Sequence, residues 1–287
     1  MLVGLMMPAF FSRIKPFSSR LGLNLIGCAP FIFLTIFFII PLVLMLVATV
    51  RPPGEFGGLA PFVVDSKINL TLDTYQFITS DFIYAQIFVT SFNISALTTL
   101  LCLLLGYPLA LMISRSSSRW QGILVFLIVL PFASNFLVKI YAWIILLEPL
   151  GLLYTSTAVV IGLVYIHLPF MVLPIYLNLM SQDPALVEAG RDLGATPIRC
   201  FFDVTLPLSF RGVLSGCALV FVPVIGVFAV PEILGGTGDI LIGNVIKEQF
   251  LDGRDWPLGS TLSIVVTMAV LMITICVSIF TKHRDRS

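Results

Sequence analysis

Lys139 is the residue whose chemistry fits its surroundings least, since it lies in the apolar stretch GILVFLIVLPFASNFLVKIYAWIILLEPLG. Asn135 comes four residues earlier, so the two side chains share one face of a helix. A lysine in the middle of a membrane span costs ~2.5 to 3.5 kcal/mol on insertion scales. Two interpretations remain open: Lys139 faces a wet or protein-lined interior, or its ammonium reaches the outer interface beside Tyr141 and Trp143.

The other polar residues of the apolar stretches are too scattered for enzyme chemistry. They form no cluster of His, Asp and Glu that would seat a metal or a nucleophile, and no Gly-x4-Gly-Lys-Ser/Thr loop is present to hold nucleotide phosphates. We interpret His167 as a packing residue rather than a proton carrier. We therefore expect a non-catalytic chain with no cofactor or metal of its own and no nucleic-acid partner.

The cysteines show no paired spacing and do not suggest a disulfide framework or a metal site. Most of them lie in apolar stretches, where a free cysteine acts as a small packing residue. We expect this role for Cys28, Cys102, Cys200, Cys217 and Cys276.

A long polar interruption between the fourth and fifth apolar runs reads SQDPALVEAGRDLGATPIRCFFDVTLPLSFRG. Asp183 is a good helix cap and Pro184 suits the first helical position. Helix formers with one apolar face fill Ala185 to Leu193, and Gly194 can end the helix with a positive φ. Thr196-Pro197 can begin a second short helix. The sequence predicts a helix, a turn and a helix at the membrane surface.

The composition is that of an integral membrane protein. Of the 287 residues, 58% are hydrophobic and 11% are charged, whereas soluble domains average about 25% charged. A helix crosses the ~30 Å bilayer core with ~20 residues, and backbone groups in lipid must pair within helices. Six spans are predicted, near Leu25 to Val50, Ala85 to Ile113, Gly122 to Leu147, Thr157 to Met180, Val213 to Glu232 and Ser260 to Thr281.

Basic residues orient this all-α bundle. Most of them fall on the side that holds both termini and the Glu188 loop, which the positive-inside rule assigns to the cytoplasm: Arg13, Lys15, Arg20, Arg115, Arg119, Arg191, Arg199, Arg211, Lys282, Arg284 and Arg286. The predicted organisation is a cytoplasmic segment 1–24, whose basic residues can meet anionic lipid headgroups, a membrane domain 25–281 and a cytoplasmic tail 282–287. The loop 181–212 belongs to the membrane domain.

Two further local predictions concern the spans and the outer side. Gly212 and Gly216 at the start of the fifth span permit close helix approach. On the outer side, the apolar residues between Ile240 and Phe250 suggest a short amphipathic helix near the membrane surface. Glu232 is placed at the outer mouth of the fifth span.

The polar loop resembles the EAA signature of permease subunits of bacterial ATP-binding-cassette (ABC) importers. The matching pattern is Glu-Ala-Gly, three residues, Gly, nine residues, Val, one residue, Leu-Pro, with Gly190 where the signature has Ala. The resemblance implies that this loop contacts an ATPase through Glu188, Ala189, Gly190, Asp192, Gly194, Leu206 and Pro207. It also implies the six-helix type I importer (MetI-like) fold, with both termini inside.

Three stretches narrow the resemblance to spermidine/putrescine importer permeases of the PotB type: GLVYIHLPFMVLPIY, EAGRDLGA and LIGNVIKEQFLDGRDWPLG. The resemblance implies four kinds of partner. These are a homologous second permease (PotC type), an ATPase dimer (PotA type) that binds ATP and Mg, a periplasmic polyamine-binding protein (PotD type) and the membrane lipid. Whether the second permease is a paralogue or another copy of this chain is left open.

A polyamine carries several positive charges, so a site for it needs carboxylates, hydrogen-bond acceptors and aromatic faces. Our first candidate is Glu232. The other candidates for the substrate pathway are Asp255, Trp256, Tyr141, Lys139 and Asn135. For Asp255 and Trp256, anchoring of the sixth span at the interface is an equally good interpretation.

Other transport functions compete with this one. A related permease could carry an iron complex, a sulfate or an amino acid. A secondary transporter or channel would need intramembrane acids or inverted repeats with broken helices, and the clear intramembrane charge here is Lys139. The sequence does not indicate which polyamine is preferred.

Overall fold

The computed structural model describes residues 30–64 and 67–284. The predicted cytoplasmic segment 1–24, the start of the first span with Cys28, and the last three residues of the tail lie outside the described residues. The chain forms two compact units, Met1–Ala48 and Thr49–Ser287.

The first unit contains nearly all of helix α1, Pro30–Thr49. A π-turn at Thr35–Ile39 interrupts it, with the amide of Ile40 bonded to the carbonyl of Thr35. Pro41 follows two residues after this turn. A proline has no amide hydrogen and its ring crowds the carbonyl four residues earlier, which explains why the preceding turn widens from α to π geometry.

The second unit is helical apart from a two-stranded antiparallel hairpin, β1 Val63–Val64 with β2 Lys67–Ile68. The helices that follow are α2 Asp73–Ser80, α3 Phe82–Ser114, α4 Ser118–Val129, α5 Phe136–Leu147, α6 Ser156–Met180, α7 Pro184–Asp192, α8 Pro197–Ile225, α9 Ala229–Leu234, α10 Ile242–Leu251 and α11 Trp256–Arg284. Short 3₁₀ turns follow α4 (Leu130–Ala133) and α5 (Glu148–Leu150).

In the described part of the chain, five helices are long and apolar enough to cross a membrane. They are α1, α3, α6, α8 and α11, and a sixth span results if α4 and α5 are counted as one bent span. The all-α membrane fold is therefore confirmed.

The fifth span differs from its predicted bounds. Helix α8 begins at Pro197 instead of Val213 and ends at Ile225. The second short helix of the polar loop is thus the first turn of the span itself. Beyond Ile225 the helix stops at Gly226, so Glu232 lies on the separate helix α9.

The third predicted span is not one straight helix. The segments Ser118–Ala133 and Phe136–Leu150 meet at an angle of 96°. Pro131 lacks the amide needed to continue the helix, and Ser134 and Asn135 adopt extended backbone geometry. The break therefore falls where the sequence supplies a proline followed by a capping residue.

The main core lies among α3, α6 and α8, which pack against one another along most of their length. A Cβ built on Gly212 would lie 2.7 Å from the Cβ of Asn178, and one on Gly216 would lie 2.7 Å from the sulfur of Met171. Only glycine allows α8 this close to α6, so the predicted close helix approach is confirmed.

A second, smaller core joins α10 to α11. Ile242 and Val245 of α10 are buried against Leu258 and Leu262 of α11. The predicted short amphipathic helix is confirmed, and its apolar face is covered by the chain's own last span.

Candidate functional site

Helix α7 begins as its sequence predicts. The carboxylate of Asp183 accepts a hydrogen bond from the amide of Ala185 at 3.0 Å, and Pro184 occupies the first helical position. The cap satisfies one of the four amides that a helix start leaves unpaired.

The end of α7 is a Schellman motif built on Gly194, whose φ is +81°. The amide of Ala195 bonds to the carbonyl of Gly190 at 3.1 Å, and the amide of Gly194 bonds to the carbonyl of Arg191 at 2.8 Å. These two bonds define the motif. The predicted helix stop at Gly194 is therefore confirmed, and the turn directs the chain into α8.

Helix α7 packs on the first turns of α8. The contact is close at Gly190, where a built Cβ would lie 3.3 Å from the sulfur of Cys200. Cys200 is buried and has no disulfide partner. The small residue at position 190 thus faces the chain itself, and the rest of α7 faces outward.

No residue of α7 is buried. Glu188, Ala189 and Asp192 are all exposed. Around them lies an apolar surface that we call the coupling patch, formed by Leu186 (48% exposed), Leu193 (90%), Ile198 (72%) and Phe202 (58%). A leucine this exposed at a helix end gains nothing from its own fold.

The predicted Leu206-Pro207 pair lies within α8, directly after a second π-turn at Phe201–Thr205. The amide of Leu206 bonds to the carbonyl of Phe201. The arrangement repeats that of α1, where a π-turn also ends two residues before a proline. Leu206 packs against the main core, so this pair fixes how α8 leaves the coupling patch and enters the bundle.

Glu232 is paired with Lys247. The ammonium of Lys247 lies 2.6 Å from a carboxylate oxygen of Glu232. The hydrogen bond that Lys247 donates to Glu232 raises the pKa of Lys247, and the carboxylates of Asp252 and Glu248 act in the same direction. Lys247 therefore stays charged at neutral pH. Lys247 was not among the predicted site residues, because a contact between two helices leaves no periodic signal in the sequence.

Asn135 and Lys139 lie at the break between α4 and α5. The amide oxygen of Asn135 caps α5 by accepting from the amide of Leu137 at 2.8 Å. The ammonium of Lys139 donates to the carbonyl of Pro131 at 3.0 Å. Lys139 thus turns back across the break and binds a backbone oxygen that also accepts from the amide and the hydroxyl of Ser134. Neither sequence interpretation foresaw this contact, because both assumed a continuous span.

Asp255 and Trp256 start helix α11. A carboxylate oxygen of Asp255 accepts from the amide of Leu258 at 3.0 Å, which is a helix cap. Trp256 is 46% exposed, and Tyr141 on α5 is 56% exposed. Asp255 therefore stabilises the start of a helix, whereas the side chains of Trp256 and Tyr141 are exposed to contact from outside the chain.

Only some of the residues predicted for the substrate pathway lie on helices that pack against each other. Helix α9, which carries Glu232, packs against α5, α6 and α10, and α10 packs against α11. Within residues 30–64 and 67–284, no hydrogen bond or ion pair links Glu232 to Lys139, Tyr141 or Asp255. In the same ranges, no three His, Cys, Asp or Glu side chains are grouped so as to hold a metal ion.

His167 is buried in α6, and its Nδ1 lies 2.8 Å from the carbonyl of Leu163 one turn earlier. A partner within its own helix fits the packing role. Cys102 and Cys217, also in the spans, are free thiols.

Comparison with solved structures places the fold. A bacterial alginate ABC transporter, crystallised in complex with an alginate pentasaccharide-bound periplasmic protein, superimposes with a TM-score of 0.68 at 15% sequence identity. The match covers 92% of this chain and 95% of the transporter chain. At this identity the likeness establishes the fold.

Sequence relatives are closer. The spermidine/putrescine transport system permease protein PotB of Haemophilus influenzae is 38% identical over 261 residues, which cover 85% of this chain and 88% of that protein. PotB of Escherichia coli K12 is 39% identical over 221 residues, covering 71% of this chain and 80% of that protein.

A family model for binding-protein-dependent transport system inner membrane components matches residues 103–287. This range is more than half of the chain and includes α7, α9 and α10. The match and the relatives confirm the resemblance read from the signature loop. The chain belongs to the family of binding-protein-dependent transport system inner membrane components, the membrane permease subunits of ABC transporters.

Proposed function

We propose that this chain is the permease subunit of an ATP-driven importer of polyamines such as spermidine and putrescine. The observation that carries the substrate assignment is the identity of 38% to 39% with two PotB proteins over most of the chain. The chain forms half of the translocation pathway, and a second, homologous permease forms the other half. A periplasmic polyamine-binding protein delivers the substrate.

The chain itself does not hydrolyse ATP in this proposal. ATP and Mg bind to a dimer of separate ATPase subunits in the cytoplasm, and the coupling patch is the surface that these subunits contact. The exposed leucines, isoleucine and phenylalanine of the patch support this role, because apolar side chains grouped on the water side of a membrane protein favour a protein partner.

Two residues of α7 are better explained by a partner than by the helix. Asp192 lies in the last turn, where an acid opposes the helix dipole and costs roughly 0.3 to 1 kcal/mol. It also lies four residues after Glu188, and like charges at this spacing repel each other. Both acids are exposed. Basic groups in a groove on the ATPase would pair with these two carboxylates, and the pairing would offset the unfavourable interactions within the helix.

The fold provides a route for motion. Helix α7 packs on the first turns of α8, and α8 runs on without a chain break to Ile225, packing against α3 and α6. A displacement of α7 by the closing ATPase dimer would therefore shift the start of a helix that belongs to the main core. We propose that this shift converts the bundle between inward-facing and outward-facing states.

For the substrate pathway we propose Glu232 as the principal cation-binding group, with Trp256 and Tyr141 as aromatic faces. Asp255, Asn135 and Lys139 shape the pathway through the helix ends they stabilise. The partial exposure of the Glu232 side chain and of the Trp256 and Tyr141 side chains supports these roles. In this proposal Glu232 contacts the polyamine directly.

The coupling role is tested by a pair of glycine variants. Gly194 and Gly151 both have positive φ, +81° and +64°, and a Cβ on either meets no atom within 4 Å. Gly194→Asp and Gly151→Asp therefore carry similar backbone strain on opposite sides of the membrane. In the assembled importer, we expect Gly194→Asp to lower ATP-driven spermidine uptake at least tenfold and Gly151→Asp to leave it near wild type.

ATP hydrolysis by the same complexes is measured in parallel. Hydrolysis that continues without uptake in Gly194→Asp is the expected sign of uncoupling. Wild-type uptake by Gly194→Asp would refute the role of α7 as the coupling helix. Uptake of an amino acid or sulfate instead of spermidine by the wild-type importer would refute the substrate assignment.

A further inference from the structure

The ion pair between Lys247 and Glu232 joins two short helices at the outer end of the bundle. The two charged atoms are 2.6 Å apart, and the side chains are 28% and 43% exposed. One turn earlier on α10, the amide group of Asn244 donates to the carbonyl of Phe228 at 2.9 Å. Helices α9 and α10 are therefore tied by a second contact that does not depend on the ion pair.

Breaking the pair would not release α9. Val230 and Leu234 of this helix are fully buried, and a Cβ on Gly162 of α6 would lie 2.7 Å from Leu234 and 3.1 Å from Val230. The apolar contacts and the Asn244 bond hold the helix in place. The ion pair is thus free to serve something other than the fold.

The chemistry of the pair matches that of the proposed substrate. Lysine presents a primary ammonium on a flexible four-carbon stem, and a diamine or polyamine ends in the same group. A carboxylate already neutralised by a tethered ammonium attracts a further cation only weakly. A solvent-exposed ion pair is also weak enough for a dissolved cation to exchange with the lysine.

We propose that Lys247 is a tethered competitor that sets substrate specificity at Glu232. It neutralises Glu232 while the site is empty and gives way when a polycation arrives. A monoamine exchanges one ammonium for another and gains nothing, whereas a polyamine brings further ammonium groups that reach other acceptors. The inference rests on the proposed polyamine function and assigns Lys247 a part in it.

The test measures equilibrium binding of radiolabelled spermidine to the purified complex of this chain, its partner permease and the ATPase, without the binding protein. Butylamine serves as the monovalent competitor. We expect Lys247→Gln to bind spermidine about three- to fivefold more tightly, the range set by an exposed ion pair. We also expect butylamine to compete better in this variant. Lys247→Arg, which keeps the cation, should stay near wild type.

Two controls separate the effect of the direct contact between Lys247 and Glu232 from the electrostatic effect of other nearby charges. Glu248→Gln removes a charge next to Lys247 without removing the ion pair, and it should change spermidine binding less than twofold. In a Glu232→Gln background, adding Lys247→Gln should have no further effect, because the competitor has lost its target.

The outcomes are distinct. Spermidine affinity and butylamine competition that Lys247→Gln leaves unchanged, or affinity that it weakens, would overturn this inference alone. A wild-type complex that binds no spermidine would also overturn this inference, whereas the proposed function fails if the complete importer, with its binding protein, takes up no spermidine.

Discussion

Two short amphipathic helices of similar length, α7 and α10, differ in whether their apolar faces are buried. Helix α10 buries Ile242 and Val245 against α11. Helix α7 buries nothing and leaves Leu193 90% exposed. Local sequence alone does not separate them, since both patterns predict a helix with one apolar face.

This difference in burial indicates a different role for each helix. An apolar face that the chain covers itself, such as that of α10 against α11, stabilises the fold. An apolar face left open is costly to keep in water, so it favours a protein partner that covers it. We therefore propose that α7 is an interface and that α10 supports Glu232.

The strongest test of the contrast adds a charge to the coupling patch. We expect Leu193→Glu to lower spermidine uptake more than tenfold, because burying a leucine at an interface contributes ~1.5 to 3 kcal/mol and the new carboxylate would also have to lose its water. Copurification of the ATPase with the permease should fall in parallel. The matched control is Leu251→Glu at the end of α10, where the leucine is 64% exposed.

If both leucine variants lost ATPase binding equally, the defect would lie in insertion or folding of the chain. If neither did, α7 would not be the contact surface. The expected pattern is loss in the first variant and retention in the second.

A second test removes the charge of Glu232 on the outer side. Glu232→Gln keeps the size of the side chain but cannot pair with an ammonium group, and we expect spermidine uptake to fall several-fold with ATPase binding intact. An ion pair at this partly exposed position is worth up to ~1 kcal/mol, which corresponds to a change of about fivefold. Unchanged uptake kinetics would show that this carboxylate does not meet the substrate.

These two regions also show how far the sequence could be interpreted. The caps of α7 at Asp183 and Gly194 were predictable, because each depends on one residue and its immediate backbone. The break after Pro131 was signalled by the proline and by Asn135, but a run of apolar residues on both sides favoured a continuous span. Sequence patterns therefore predict features, such as helix caps, that depend on a few neighbouring residues.

The pairing of Lys247 with Glu232 was beyond such rules. The residues are on different helices, and the turn between them decides whether the side chains meet. The end of α8 at Ile225 was missed for a similar reason. Apolar residues continue to Leu234, but Val230 and Leu234 pack against α6 as part of a separate short helix.

A third test, with a smaller expected effect, distinguishes a helix-capping role of Asp255 from a substrate-binding role. If the residue caps α11, as its bond to the amide of Leu258 indicates, Asp255→Asn should keep both uptake and thermal stability. Asp255→Ala should then lower the free energy of unfolding by roughly 0.5 to 2 kcal/mol. If the charge binds substrate, Asp255→Asn would lose uptake while keeping its stability. Differential scanning fluorimetry and an uptake assay on both variants distinguish these cases.

The smallest effect is expected at Gly190, on the side of α7 that faces the chain. An alanine there gains up to ~1 kcal/mol of helix propensity, and its Cβ would lie 3.3 Å from the sulfur of Cys200. The soft, polarisable sulfur can yield by a few tenths of an ångström. We therefore expect Gly190→Ala to keep full uptake and to melt at the same or a slightly higher temperature. A marked loss of uptake with stability retained would mean that α7 must slide against Cys200 during transport, and the inner face of this helix would then matter as much as its coupling patch.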